Sequence, residues 1–571
     1  KTMKNLLNKT LITILVILLY SQLFSSQLHV SINDPIYVYM DRLSTQGVLP
    51  SYMNGTLPLT RDYISEMLLE LEIKRDQLSR IDQEILDEYL ADYQYDIEQK
   101  PYFQLREGIA TYHPFQSWNN LQDGFKDLFS YTVNQEEHHL AVYNNENNLL
   151  WLDVGEWTRF EKKETDVRLP YKFHYSLSML LGNHFSVYSD VNIYTIVYNS
   201  EFADHPSEYK GGLLNKYEGF YGFEHEMTFE YPSSYIQYSS NIGNIALKVE
   251  PLLWGNGKAP IILSNNVPPF IMLSWDKKIG QSIFSFFHGS IQPTLLDTTR
   301  KRVLSSDNKY LVGHRWEFSI TDKLHGGFTE MLVYGGRNPE LIYFLPTISL
   351  FSVQHNKEEL FGDNVLWFFE GEYFPMQNLK FYGTFMMDDM TTSEIFNNYA
   401  LNHWAVQAGT HVSGNILSYP TDLRWEWTAV RPWSYTHRIP IYGTYTNLGR
   451  CLGFEYGPNS QLLLIENRWW INTRNRLRIS FEQLKWGREP EEDMDDGYDF
   501  GNDSNHNYSL ANPEYTNSTG WLIGDIQTTH TVQFLWEYQL SNIIGLELGF
   551  AHVKGMAESV NTMSLQVNVD Y

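Results

Sequence analysis

The stretch Met563-Ser564-Leu565-Gln566-Val567-Asn568-Val569-Asp570-Tyr571 decides the reading of the fold. Apolar residues at 563, 565, 567, 569 and 571 alternate with polar residues at 564, 566, 568 and 570. A strand has a side-chain period of two, so the two sets point to opposite faces. In a soluble sheet the apolar face would meet a core. In an outer-membrane barrel it would meet lipid, and the polar face would line a wet or plugged lumen.

The pattern recurs upstream. Val532, Phe534, Trp536, Tyr538 and Leu540 form one stripe, interrupted on its polar side by Leu535. Leu477, Ile479 and Phe481 alternate with Arg478, Ser480 and Glu482; Leu423, Trp425 and Trp427 alternate with Arg424, Glu426 and Thr428. Leu379, Phe381 and Phe385 alternate with Lys380, Tyr382 and Thr384. A two-layer sandwich also alternates, so no single strand distinguishes the two folds. The stripe here is heavy in Trp, Tyr and Phe, as expected of a lipid-facing wall with aromatic girdles.

Composition bounds the rest. Aromatics make up 15% of the 571 residues, and mean hydropathy is -0.37. No apolar run reaches the roughly 20 residues of a spanning helix. That excludes a helical-bundle membrane protein but not a barrel, whose lumen face dilutes the hydropathy. The formal net charge of -26 opposes nucleic-acid binding. An acidic polysaccharide would have to be recognised locally, through particular Arg and Lys residues or bridging cations. Arg300, Lys301 and Arg302 form one basic cluster, which also reads as an ordinary solvated loop. The single cysteine, Cys451, allows no intramolecular disulfide and no cysteine-based metal site.

Lys1, Lys4 and Lys9 followed by the apolar run Leu11–Tyr20 read as an export signal over residues 1–26, with cleavage within Ser21–Gln27. An uncleaved anchor helix is the alternative. Residues 27–100 then read as a small periplasmic helical bundle. Asp34-Pro35 supplies an N-cap and a first helical residue, and Gly47 a stop. Thr60 caps a second helix with Ile64, Met67, Leu68 and Leu71 on one face; Ser79 caps a third. From about residue 101 to 571 the period is two, giving roughly 16 to 20 strands. Gly182-Asn183 and Asn241–Asn244 look like hairpin turns, and longer loops fall near 199–218, 292–309, 391–400 and 487–520. The 487–520 loop is strongly acidic but fails the EF-hand pattern, because Met494 stands where a ligand is needed if Gly497 is the turn glycine.

Catalytic patterns are missing: there is no G-x-S-x-G elbow, no H-E-x-x-H, no P-loop and no dinucleotide fingerprint. Asp388-Asp389 is a carboxylate doublet, but strand neighbours point to opposite faces, so it makes a poor acid/base dyad outside a turn. His314, His403 and His437 have no metal-ligand spacing.

One segment stands apart. Trp254-Gly255-Asn256-Gly257 leads through Leu263-Ser264-Asn265-Asn266 to Val267-Pro268-Pro269-Phe270. Two glycines allow a tight φ-positive backbone, and the Pro pair cannot donate to a ladder. Two readings stay open: an inward turn that packs on the wall, or a lumen constriction offering hydrogen bonds from Ser264, Asn265 and Asn266 and a flat Trp254 face for sugar.

At these residues the chain resembles the Wzi-type capsule-assembly proteins of the bacterial outer membrane. The run Trp254–Phe270 is similar to that family's most recognisable segment. So is Thr329-Glu330-Met331-Leu332-Val333-Tyr334-Gly335-Gly336-Arg337, followed by Tyr343 and Pro346. Further likeness lies in Gly362-Asp363-Asn364 with Tyr382-Gly383 and Asp388-Asp389, and in Tyr435-Thr436-His437 with Leu452-Gly453 and Gly457-Pro458-Asn459. The opening Asp41-Arg42-Leu43 to Pro58-Leu59-Thr60-Arg61 is similar too. The likeness covers most of the mature chain in consistent order, and only the bracketing loops, 487–520 above all, look idiosyncratic.

The resemblance implies an all-β fold: a large antiparallel transmembrane β-barrel of about 18 strands with a small N-terminal α-helical bundle. It implies a role in holding capsular or other surface polysaccharide, as a lectin and not as an enzyme; no cofactor and no metal site are expected from the residues, and the 487–520 loop keeps a loose cation site as a minority reading. Outer-membrane lipid and extracellular polysaccharide are the expected partners of a monomeric barrel. Trp254, Gly255, Asn256, Gly257, Ser264, Asn265, Asn266, Pro268, Pro269, Glu330, Tyr334 and Arg337 are the candidate polysaccharide-binding or lumen residues. A porin-like diffusion channel and an outer-membrane hydrolase are the competing functions.

Overall fold

The computed structural model describes residues 28–98, 108–110, 129–131, 139–145, 148–164, 166–199, 209–210, 215–218, 225–296, 302–304, 307–388, 402–416, 419–488, 501–505, 521–555 and 559–570. The expected export signal, Arg300 and Lys301, Asp389 and most of the 487–520 loop lie outside the described residues.

Eighteen antiparallel strands close into one barrel. In chain order they are β1 (Asn148–Lys163), β2 (Asp166–Leu181), β3 (Phe185–Tyr198), β4 (His225–Ser240), β5 (Gly243–Glu250) and β6 (Phe270–Ile279). Then follow β7 (Ser282–Ile291), β8 (Lys309–Thr321), β9 (Leu324–Gly335), β10 (Asn364–Met376), β11 (Leu379–Met387) and β12 (Trp404–Ile416). The last six are β13 (Tyr419–Val430), β14 (Ser460–Asn472), β15 (Asn475–Arg488), β16 (Asp525–Gln539), β17 (Ile544–Lys554) and β18 (Ser559–Asp570). Each strand pairs with the next. The ring closes where β18 meets β1, from Thr562 opposite Lys163 to Asp570 opposite Gly155. The remaining edge of β1 pairs with the short strand Ala141–Asn145. Closure leaves no long row of unpaired amides, which is the condition for crossing hydrocarbon with strands. Tight turns gather at one end, at Gly182-Asn183 (Gly182 φ 59°) and between Ser240 and Gly243. The long connections gather at the other.

The stripes read from the sequence face outward. Leu423, Trp425, Phe381, Ile479, Phe534, Met563, Leu565 and Val567 are all exposed on the outer surface. Each such side chain moved from water into hydrocarbon contributes about 1.5–3 kcal/mol, so the outer band favours a bilayer strongly. Their sequence neighbours turn inward and pair. Lys380 Nζ on β11 lies 3.0 Å from Glu372 on β10, and Arg315 on β8 pairs with Glu370 on β10.

Helices α1 (Ile36–Thr45), α2 (Arg61–Ile73), α3 (Arg80–Asp92) and α4 (Gln94–Glu98) occupy the tight-turn end. The hydroxyls of Thr60 and Ser79 accept the amides of Tyr63 and Asp82, capping α2 and α3. Helix α1 begins one residue later than the sequence predicts. Asp34 takes the amide of Ile36 at 2.9 Å, which leaves Pro35 in the cap position. Gly47, at φ 82°, ends the first helical segment. The stripes Ile64-Met67-Leu68-Leu71 and Ile81-Ile85-Leu86 share one core with Ile36, Met40 and Leu43. Trp470 of the wall joins that core, with the Arg42 guanidinium 4.0 Å over its ring. The bundle therefore docks onto the barrel through apolar packing as well as charge.

Candidate functional site: a lumen filled by its own chain

Strand β5 has only eight residues, against sixteen for β4 beside it. At Glu250 the chain leaves the wall, crosses the lumen over residues 251–269 and rejoins the wall as β6. Gly255 makes the crossing possible: its φ of 124° is closed to side chains with a Cβ. Trp254 N donates to Leu263 O at 2.9 Å, and Leu263 N returns a bond at 3.3 Å, so the segment closes on itself as a hatch.

Three neighbours fix the hatch. From the tight-turn end, the two-residue strand Thr56–Leu57 pairs with Trp254 and Leu253, and Gly255 N donates to Gly55 O at 2.8 Å. From the side, the Glu426 carboxylate on β13 accepts the amides of Lys258 (2.8 Å) and Ala259 (2.9 Å). Tyr382 Oη and Gln407 Nε2 donate to the same carboxylate at 2.6 and 3.1 Å. From the long-loop end, residues 431–459 fold inward. Tyr435 and Tyr445 donate from their hydroxyls to the carbonyls of Ile261 and Ile262, each at 2.8 Å. The two tyrosines, Trp433, Leu452 and Phe454 are fully buried. Trp433 and Tyr435 hold positive φ values of 57° and 67°, a cost of about 1–3 kcal/mol each that surrounding contacts must offset. An apolar core thus sits inside the barrel, built from Ile261, Ile262 and Leu263 of the hatch, Leu311, Met331, Leu366 and Phe368 of the wall, and the inward loop. Cys451 belongs to it, and burial pushes its thiol up to about 12.

The candidate residues divide accordingly. Trp254 is 2% exposed and packs edge-on against Phe287 with ring centroids 5.1 Å apart, so its face is not open to a sugar. Ser264 donates from both N (2.7 Å) and Oγ (3.2 Å) to Leu452 O, and Asn266 Nδ2 donates to Cys451 O. Pro268 and Pro269 lead the chain back to the wall. Asn256, Gly257 and Asn265 line cavities, and Asn256 Oδ1 has no hydrogen-bond partner among the described residues.

Glu330 and Tyr334 are not lumen residues. Period two puts Met331 and Val333 in the inner core, so Glu330, Leu332 and Tyr334 face out. There they anchor a segment that folds over the outside of the wall. Helix α5 (Leu350–Phe361) starts with its Leu350 and Phe351 amides donating to Glu330 at 3.0 and 2.8 Å. Leu350 and Val353 pack against Val312, Leu332 and Tyr334. Arg337 holds the same segment, its Nη2 donating to both carboxylate oxygens of Asp363 at 2.7 Å.

Asp41 of α1 is the electrostatic centre of the bundle–wall contact. It pairs with Lys380, with Arg424 at 2.6 Å and with His411 at 3.3 Å. Burial alone would raise its carboxyl, but Lys380, His411 and Arg424 hold it well below the usual carboxylate range. Nothing local in the sequence marks this group, since its members lie on four separate elements.

Among the described residues, two cavities border the hatch at Asn256 and at Asn265. One, of about 380 Å³, lies between bundle, hatch and the β13–β15 wall, with Asn256, Lys258, Glu466, Arg468 and Arg478 on its lining. Glu466 draws the Lys258 ammonium up, but burial and the guanidiniums of Arg468, Arg424 and Arg478 outweigh it and hold Lys258 at about 8. The other, of about 270 Å³, lies against the inner face of β1–β4, with Trp157, Lys172, Tyr194, Tyr231, Lys210 and Asn265 around it. Among the described residues no group of three His, Cys, Asp or Glu side chains is arranged to hold a metal ion.

A closed wall with an apolar belt and a lumen occupied by helices, hatch and inward loop defines a plugged transmembrane barrel. The family model of the capsule assembly protein Wzi matches residues 142–539, well over half the chain, and the chain belongs to that family. No curated protein sequence matches it. Among solved structures it is similar to Wzi of Escherichia coli, an outer membrane protein involved in group 1 capsule assembly and described as a carbohydrate-binding β-barrel. That likeness has 13% identity and a TM-score of 0.55, covering 95% of this chain and 99% of the other. The outer membrane protein OprD of Pseudomonas aeruginosa matches at 9% identity and a TM-score of 0.41, over 74% of this chain and 94% of the other.

Proposed function

We propose that the chain binds and anchors capsular or other surface polysaccharide at the outer membrane, as a lectin-like barrel without enzymatic activity. Membership of the Wzi capsule-assembly family carries this reading. The filled lumen supports it from the physical side. The interior is occupied by a packed core with its own hydrogen bonds, which suits a rigid platform for a ligand and ill suits a diffusion path. The tight-turn end with its helical bundle faces the periplasm, and the long connections face outward to the polymer. Outer-membrane lipid surrounds a monomeric barrel. The residues that touch polymer come from the long loops and the upper lumen, through aromatic faces and hydrogen bonds.

Deleting the gene tests the proposal. Extracellular polymer is expected to move from the cell-bound fraction into the medium; unchanged cell-bound polymer in the deletion strain would refute it. Turnover of lipids, peptides or glycans by the purified barrel would instead favour a hydrolase.

A further inference from the structure

The inner face of β1–β4 carries a row of side chains at one level. Trp157 stands opposite Lys172, Lys172 opposite Tyr194, and Tyr194 opposite Phe229. Tyr194 and Phe229 stack at 5.1 Å and 12°, Trp157 meets Tyr194 edge-on at 6.2 Å, and the Lys172 ammonium lies 5.9 Å from the Tyr194 ring centre. One level along, Asn192 stands opposite Tyr231 and His174. This aromatic row forms one side of the 270 Å³ cavity, and the hatch residue Asn265 closes another. Lys210 comes in from the loop above, where Tyr231 Oη accepts its amide N–H at 2.5 Å.

The charges around this cavity are unequally satisfied. Its two carboxylates have partners: Asp190 accepts from Asn192 at 2.9 Å and faces His174 at 3.4 Å, while Glu250 lies 2.8 Å from His29. Its two ammonium groups, Lys172 and Lys210, make no close hydrogen bond or ion pair with any described residue, and the carboxylates of Asp190 and Asp570 act on Lys172 only from beyond contact distance. Burial and the Arg450 guanidinium push the Lys210 ammonium down to about 8. Unspent cations beside flat aromatic rings match a ligand with a carboxylate and an apolar ring face. A hydrated anion alone would leave the rings unused, and a neutral sugar would leave the two ammonium groups without a close acceptor.

We propose that the cavity over Trp157, Lys172 and Tyr194 is a subsite for one uronic acid residue of an acidic polysaccharide. The carboxylate lies against Lys172 and Lys210, and the C–H face of the sugar ring lies on the aromatic row. Asn192 and Asn265 supply hydrogen bonds to hydroxyls. The proposal rests on the polysaccharide-binding reading above and names its substrate class.

The test is calorimetric titration of the detergent-purified full chain with tetragalacturonate, maltotetraose and inorganic phosphate. Tetragalacturonate is expected to bind at least about tenfold more tightly than either other probe, since it alone brings a carboxylate and a ring face together. Lys172→Met and Lys210→Met should each weaken it about tenfold, and Tyr194→Leu severalfold. Heat-modifiable gel mobility checks that each variant is folded. Equal affinity for maltotetraose, or phosphate binding as tightly as tetragalacturonate, overturns the proposal; so do folded Lys172→Met and Lys210→Met variants that bind tetragalacturonate like the parent. If the variants lose uronate binding while the deletion strain keeps its polymer, the anchoring role fails and the subsite stands. If deletion releases polymer while the variants bind unchanged, only the subsite falls.

Discussion

Asp41 and Arg424 are separated by 383 residues in the chain and by 2.6 Å in space. One is on the first helix of the bundle, the other on the inward face of a wall strand, and Lys380 and His411 complete the group. Removing one member of a buried ion network leaves the others uncompensated. Asp41→Ala is therefore expected to destabilise the barrel by about 3–5 kcal/mol. Urea unfolding of the purified protein measures this, and a loss under 1 kcal/mol would show the bundle to be held by packing alone.

The same group sets an acid response. The Asp41 carboxyl is held down in the folded protein, so its contribution is fully present above the ordinary Asp value of about 3.9 and is lost as pH falls through the folded value. Hydrogen exchange over residues 36–45 should accelerate between pH 4 and lower values. Asp41→Asn should exchange faster already at neutral pH and show a weaker acid dependence.

The hatch predicts electrical silence. Planar bilayers containing the intact protein should show almost no conductance. Replacing residues 255–265 with a short Gly-Ser linker removes the contacts to Glu426, Gln407 and Leu452 and should open measurable current. Gly255→Ala, which forces a Cβ onto a φ of 124°, should cost about 1–3 kcal/mol without changing strand content. Steady large currents from the intact barrel would contradict the plugged interior.

On the outside, Glu330 accepts from the Leu350 and Phe351 amides and from Trp367 Nε1, and it lies 2.8 Å from His314. Glu330→Ala strands these donors and should cost about 1–3 kcal/mol, concentrated on the helix it caps. Proteolysis and hydrogen exchange over residues 349–361 should rise while the rest of the wall is unchanged. Equal protection in parent and variant would mean that Leu350 and Val353 hold the helix without the cap.

What the sequence made legible was local. Met563, Leu565 and Val567 face out as their period of two requires, and Thr60 and Ser79 cap helices where their residue types favour it. The inner architecture was not local. Residues 431–459 hold four tyrosines and carry no stripe, because they pack on the hatch and not on a wall strand. The motif makes Glu330 and Tyr334 candidate polysaccharide-binding or lumen residues, whereas their alternation with Met331 and Val333 puts the two sets on opposite faces of the wall. The Asp41 group and the Trp157–Lys172–Tyr194 row depend on register between strands, which one chain without its pairing does not display.

The seam between β1 and β18 joins the two ends of a sheet already wrapped around the bundle, the hatch and the inward loop. The hatch is itself the link between two wall strands, so wall and filling are one covalent thread: prising β5 or β6 out of the sheet drags on the plug, and the two are expected to come apart in a single event.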